Sequence, residues 1–129
     1  MAEIQVTGKT ASNLIDDRKT KLIAEVQAFA KAIIESLDWQ VVRHIGQLKL
    51  IEDEQLVSTS LTNEEYLAVE AWRQSGRDLT NYAETIVPQI TTEADMIAAE
   101  DYFHAIPPTQ EGIPGQAVVE AWVAANLSI

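Results

Sequence analysis

Two histidines and several neighbouring carboxylates are the side chains whose chemistry could build a catalytic or metal-binding site. The histidines are His44 and His104, and the sequence contains no cysteine. Glu100 lies four residues before His104, a spacing that resembles half of a metal-binding helix. Neither histidine has a second histidine three or four residues away, as a helical zinc site would need. We therefore predict no metal site and interpret both histidines as surface residues or residues at the edge of the core.

The carboxylates occur in pairs of consecutive residues, which is a poor arrangement for two-carboxylate catalysis. Consecutive side chains on a helix diverge by about 100°, so such pairs form solvated acidic faces. The sequence also lacks a glycine-rich phosphate loop and a Gly-x-Ser-x-Gly nucleophile motif. We predict a protein that is not an enzyme and binds no cofactor. The pairs are Asp16/Asp17, Glu64/Glu65 and Glu100/Asp101.

Length and charge limit the classes of partner. The chain of 129 residues suits one domain with a real core. Its net charge of −11 should repel phosphate backbones, so nucleic acid is not an expected partner. No segment is long and apolar enough for a membrane span, and no secretory signal is evident, so no membrane partner is expected. The absence of cysteine fits a reducing cytoplasm.

The apolar pattern in the first half of the chain predicts one long helix, followed by a segment whose secondary structure is less certain. Apolar residues repeat every three or four positions from residue 12 to residue 37, which is typical of an amphipathic helix. A break is expected near Asp38. Beyond it the helix could resume, although Gly46 weakens that interpretation, and Leu48–Ile51 could equally form a short strand. Residues 1–11 predict a short strand or an extended arm.

Three further helices are predicted. Thr62 and Glu65 have the spacing of a capping box, and Pro88 should end the helix that they begin. A third helix follows Thr91 or Thr92 and ends before Pro107, and a fourth lies near residues 116–127. The predicted fold is all-α, with about four helices around an antiparallel helical hairpin. The single domain, 1–129, comprises the arm (1–11), the hairpin (12–87) and a C-terminal helical extension (91–129).

The three tryptophans are predicted to have different roles. Trp39 and Trp72 are expected to fill the core near the junction of the two hairpin helices. Trp122 lies on the short terminal helix, which is not expected to bury both its faces. Trp122 is therefore the strongest candidate among the tryptophans for a contact with a partner.

The order of residues between 35 and 79 resembles a known family. Asp-Trp, a short apolar run and a connector precede Leu-Thr-x-Glu-Glu and then an aromatic residue followed by Arg-Gln-x-x-Arg-Asp. This order resembles tail-associated proteins of tailed bacteriophages, which include the phage tail assembly chaperone-like family and small domains found with tail fibres. Ser75-Gly76 stands where the family has Ala-Leu, and Thr80 stands where proline is common. The matching residues are Asp38, Trp39, Glu65, Trp72, Arg73, Gln74, Arg77, Asp78 and Leu79.

The resemblance implies a non-enzymatic phage tail protein, either an assembly chaperone or an accessory component of the virion. It implies phage tail, baseplate or fibre proteins as partners, with a homo-oligomer also open, and a location in the host bacterial cytoplasm or the virion tail. The net charge favours an alternative, a small acidic regulatory or inhibitor protein that masks a basic surface. The candidate structural or partner-binding residues are Trp39, Trp72, Arg73, Gly76, Arg77, Asp78 and Trp122. Arg73 and Arg77 are expected to face outward or to bond Asp38, Glu70 or carbonyls of the connector. Gly76 has no side chain, so another backbone or an aromatic ring could approach the helix closely there.

Overall fold

Helices make up the architecture of the computed structural model, which describes residues 11–129. They are α1 (Ala11–Glu52), α2 (Asn63–Ile86), α3 (Glu93–His104) and α4 (Gln116–Asn126), with one turn of 3-10 helix at Val87–Gln89. The described residues include no strand, so the all-α prediction is confirmed. The strand or arm predicted for residues 1–11 lies almost entirely outside the described residues.

Helix α1 is continuous, and the expected break near Asp38 and strand at Leu48–Ile51 are both wrong. The Asp38 side chain is held by Arg73 on α2, so it does not compete for backbone hydrogen bonds within α1. A glycine in a helix, such as Gly46, costs only about 1 kcal/mol, which a long helix tolerates. The same apolar run that suggested a strand continues the helix to Glu52.

Helix α2 begins and ends where the sequence predicts. The backbone N–H of Glu65 donates to Oγ1 of Thr62 over 3.1 Å, and the N–H of Thr62 donates to Oε1 of Glu65 over 2.9 Å. This is the predicted capping box, in which each side chain satisfies a free backbone donor. The helix ends at Ile86, two residues before Pro88.

Helices α1 and α2 form the antiparallel hairpin. Gln27 is hydrogen-bonded to Glu84, and Asp38 to Arg73 further along, so α2 runs back along α1. We call the part that includes α1 up to Leu37 and α2 from Gly76 the proximal end. The distal end comprises α1 from Asp38, the connection 53–62 and α2 up to Ser75.

The hydrophobic core lies at the proximal end, where α3 packs on α1 and α4 packs on α2. Burial of these apolar side chains is the main stabilising term of the fold. The cluster combines residues of both hairpin helices, α3 and the segments that flank it: Leu22, Val26, Ile33, Leu37, Leu79, Ala83, Val87, Ile90, Met96, Ala99, Phe103, Ile106 and Ile113.

Polar contacts fix the short helices to this core. The Oγ1 atom of Thr92 caps α3 by accepting from the backbone N–H of Asp95. The buried Asp95 carboxylate in turn accepts hydrogen bonds from the backbone N–H and the hydroxyl of Ser128, with Oγ to Oδ2 at 2.6 Å. Arg18 on α1 forms an ion pair with Glu100 on α3. Across residues 11–129, no helix combines the length and the apolar character that a membrane crossing requires.

Candidate interaction surface at the distal end of the hairpin

An ion-pair cluster joins the two helices at the start of the distal end. Arg73 on α2 donates from Nη2 to Oδ1 of Asp38 on α1 over 2.7 Å and from Nη1 to Oε1 of Glu70. The hydrogen bond with Glu70, and then the one with Asp38, raise the pKa of Arg73 above its ordinary value. Arg73 therefore stays charged and bridges the helices. Of the alternatives left open by the sequence for Arg73, the structure shows the bonds to Asp38 and Glu70.

Gly76 makes room for this chain's own first helix. A Cβ atom at residue 76 would lie 3.4 Å from Cγ1 of Ile34 and 3.6 Å from the carbonyl oxygen of Ala30. The glycine is buried, so α1 and α2 approach closely at the boundary between the proximal and distal ends. The close approach expected at Gly76 is thus one between two helices of the same chain.

The two tryptophans of the hairpin lie in different environments. Trp72 is half-buried against the hydrophobic core, as expected. Trp39 is 58% exposed, so the prediction that it fills the core is wrong. Its neighbours Val41 and His44 face α2 and are buried, and at 3.6 residues per turn this places Trp39 on the other side of α1.

Trp39 belongs to an exposed apolar face on α1. Val42 is 70% exposed and Ile45 is 56% exposed, and the three residues follow each other at intervals of three. We call Trp39, Val42 and Ile45 the outer face of α1. Residues three apart on a helix are neighbours, so these side chains form one exposed apolar group along α1.

Beneath the outer face, a histidine and a tyrosine pack the two helices together. The rings of His44 on α1 and Tyr66 on α2 are stacked, with 4.2 Å between their centroids and 15° between their planes. The cavity beside His44 measures about 40 Å³, close to the volume of a single water molecule. His44 is buried, which is the core-edge alternative of its two sequence interpretations, and the cavity is too small for an organic ligand.

The remaining candidate residues lie apart from the outer face. Arg77 Nη1 donates to Gln74 Oε1 over 3.2 Å, and Gln74 Nε2 donates to Asp78 Oδ1 over 2.9 Å, which forms a chain of bonds along the exposed side of α2. Trp122 on α4 is half-buried and stacks on Tyr102 at a centroid distance of 4.0 Å. Trp122 thus has a packing partner within the chain, and its contact with another protein stays a prediction.

A groove at the proximal end is the alternative place for chemistry. It has a volume of about 320 Å³ and is lined mainly by apolar side chains, including Phe29 and Phe103. His104 and Glu25 meet at its rim, with Nε2 of the histidine 2.7 Å from Oε2 of the glutamate. None of the described residues that line the groove is a serine, threonine or lysine. Among the described residues, no group of three or more histidine or acidic side chains could hold a metal ion.

Sequence reasoning missed the exposed face because its apolar residues repeat with the period of a buried helix. The signal that could have revealed it is a second apolar series on the same helix. Val41 and His44 form one series, and Trp39, Val42 and Ile45 form the other, so both cannot face α2.

No family model, no curated protein and no solved structure matches this chain.

Proposed function

We propose that this chain is a non-enzymatic protein of a bacteriophage tail that binds tail, baseplate or tail-fibre components. The observation that carries the proposal is the 2.7 Å contact between Asp38 and Arg73. These residues belong to the two separate halves of the sequence pattern that resembles phage tail-associated proteins. Their contact gives both halves one structural purpose, which is to hold the hairpin together at its distal end.

The distal end offers surface for such a partner. Leu67 on α2 is 64% exposed and Val57 in the connection is 96% exposed. Both lie close in sequence to the Leu-Thr-x-Glu-Glu segment of the resemblance. Exposed apolar side chains surrounded by polar ones are the usual composition of a protein contact. The tail component would therefore bind at the tip of the hairpin, around the connection 53–62.

The test is co-purification from a host infected by the phage that encodes the chain. A tagged chain should recover tail, baseplate or fibre proteins identified by mass spectrometry, and Leu67→Glu should recover less of them. Ile97→Glu, at an exposed position on α3, is the matched control and should recover the normal amount. Recovery of no tail protein, or equal losses for both variants, contradicts the proposal.

Mass spectrometry of purified particles separates the two forms of the proposal. An assembly chaperone leaves finished particles, whereas an accessory component remains in them at a fixed stoichiometry. The particles must be purified from infected cells, because the chain produced alone forms no phage particles in which its presence could be measured.

The acidic tip favours a second candidate, a regulatory or inhibitor protein that covers a basic surface. Glu52, Asp53 and Glu54 are exposed at the end of α1, and Glu64 and Glu65 are exposed at the start of α2. Binding through these carboxylates would weaken strongly between low and moderately high salt, because exposed charges are screened. Binding that is insensitive to salt contradicts this candidate.

A further inference from the structure

The apolar residues of the outer face are arranged symmetrically along α1. Trp39 lies three residues before Val42 and Ile45 lies three residues after it, and more than half of each side chain is exposed. Val42 is the most exposed of the three. If a second helix crossed α1 in the opposite direction at Val42, it would meet the same sequence of apolar groups.

The charges on the same side of α1 are also symmetrical in position, but their signs are reversed. Glu35 and Lys49 lie seven residues before and after Val42, and Lys31 and Asp53 lie eleven residues before and after it. Asp53 is the first residue after α1, and its backbone N–H still donates to the Lys49 carbonyl oxygen as in a helical turn. Steps of seven and eleven residues return to nearly the same side of a helix. Lys31 contacts Glu35 at 3.7 Å and Lys49 contacts Asp53 at 3.5 Å, so each end carries an exposed pair of both signs.

We propose that the outer face of α1 binds the outer face of a second copy of this chain, with the two helices antiparallel and a two-fold axis next to Val42. Trp39 of each copy then packs against Ile45 of the other. Glu35 faces Lys49 of the second copy, and Lys31 faces Asp53 of the second copy. A parallel pair would instead set each charge against its own kind, so the charge pattern selects the antiparallel arrangement.

More than half of each outer-face residue is exposed, although Trp39 also lines a small cavity with Ser60 and Leu61 of the connection. Lys31 and Glu35 lie at the edge of a groove that they share with α2. The buried residues Val41 and His44 show that α2 packs on the opposite side of α1 at the distal end. Helices α3 and α4 contact the proximal end, as the pairing of Arg18 with Glu100 illustrates. From residue 31 to its end at Glu52 the helix extends about 32 Å, at about 1.5 Å per residue. A single helix pair of that length lies at the low end of the range for specific interfaces, so the dimer is reversible.

The first experiment measures mass against concentration for the purified chain by sedimentation velocity. The mass should rise from 14.3 kDa toward twice that value as concentration increases. Val42→Glu places two carboxylates together at the axis and should raise the dissociation constant by roughly tenfold or more, since buried like charges are strongly unfavourable. Val118→Glu makes the same change at an exposed valine on α4, away from the outer face, and it should leave the dissociation constant unchanged.

The second experiment tests the register with charge reversals. Glu35→Lys sets like charges against each other twice and should weaken the dimer, while Glu35→Lys combined with Lys49→Glu should restore it. The single change raises the net charge from −11 to −9, because one negative charge is lost and one positive charge is gained. General repulsion between acidic chains would therefore make Glu35→Lys dimerise more strongly, which is the opposite of the specific pairing proposed. Glu111→Lys has the same net charge and is the matched control.

Helix content, followed by circular dichroism, verifies that each variant folds. A wild-type chain that stays monomeric at all concentrations overturns the proposal. So does a dimer that responds equally to Val42→Glu and Val118→Glu, or one that the double charge reversal fails to restore. These measurements use the purified chain alone, so their outcome is independent of whether a phage tail component is its other partner.

Discussion

The two ends of the hairpin are built from the same two helices, but they bury their apolar residues differently. At the proximal end, α3 and α4 cover the hairpin, and side chains from both hairpin helices enter one continuous core. At the distal end the half-buried Trp72 still packs against the core, and beyond it Val41, His44 and Tyr66 provide a smaller contact between α1 and α2. The comparison shows that one helix can bury its apolar side chains in the core along one half and leave apolar side chains exposed along the other.

The largest expected effect comes from removing the same side chain at each end of α2. Leu79 is 1% exposed at the proximal end, and Leu67 is 64% exposed at the distal end. Leu79→Ala should lower the free energy of unfolding by about 2–5 kcal/mol, because it leaves a cavity in the core. Leu67→Ala should change it by less than about 0.5 kcal/mol. Urea denaturation of both variants measures the free energy of unfolding. Similar decreases for the two variants would contradict the proposed difference between the proximal and distal ends.

A smaller effect is expected from enlarging the two helical glycines. Gly76→Leu should lower the free energy of unfolding by about 1–3 kcal/mol, because the new side chain would crowd Ile34 where α1 and α2 meet. No atom beyond its own helix lies within 4 Å of a Cβ atom built on Gly46. Gly46→Leu should therefore stabilise α1 by about 0.5–1 kcal/mol, since glycine is a poor helix former. Thermal unfolding at low protein concentration compares the two variants, and destabilisation by Gly46→Leu would show that something covers the distal half of α1.

The smallest effect concerns acid stability. The hydrogen bond from Arg18 lowers the pKa of Glu100 at the proximal end. A lowered carboxyl pKa adds stability above the ordinary glutamate pKa of about 4.3, and this stability is lost as the pH falls below it. Arg18→Gln should raise the pKa of Glu100 in an NMR titration. It should lower the free energy of unfolding at neutral pH by less than about 1 kcal/mol, because both groups are partly exposed.

The matched change at the distal end is Lys49→Gln, which removes exposed contacts within a single helix. It should leave both the pKa of Glu100 and the acid dependence of unfolding unchanged. A pKa for Glu100 that does not move in Arg18→Gln would contradict the stated cause.

The sequence predicted the features whose causes are local. The capping box of Thr62 and Glu65, the stop before Pro88 and the cap at Thr92 all depend on residues within four positions, and all three are confirmed. The continuity of α1 was missed because the partner that holds Asp38, Arg73, is 35 residues away. Local propensity carries no information about such a partner.

The exposure of Trp39 was missed for a different reason. The spacing of apolar residues identifies one side of a helix but does not show whether another part of the chain covers that side. An exposed apolar side has the same spacing as a buried one. Contacts such as Arg18 with Glu100, 82 residues apart, depend on how the helices assemble and leave no pattern in the sequence. The function proposed from the resemblance also stays a prediction, because a binding surface can be identified only together with the partner that binds it.

The unbroken helix α1 gives the chain a graded resistance to local opening. Its helical backbone continues from the packed core past Asp38 and Gly46 as one element that ends at Glu52. Opening can therefore begin at Glu52 and proceed one turn at a time toward the core, with each turn harder to release than the last. In a deuterium-exchange experiment, the amides of this single helix would report a continuous range of lifetimes, shortest near the connection 53–62 and longest around Leu22.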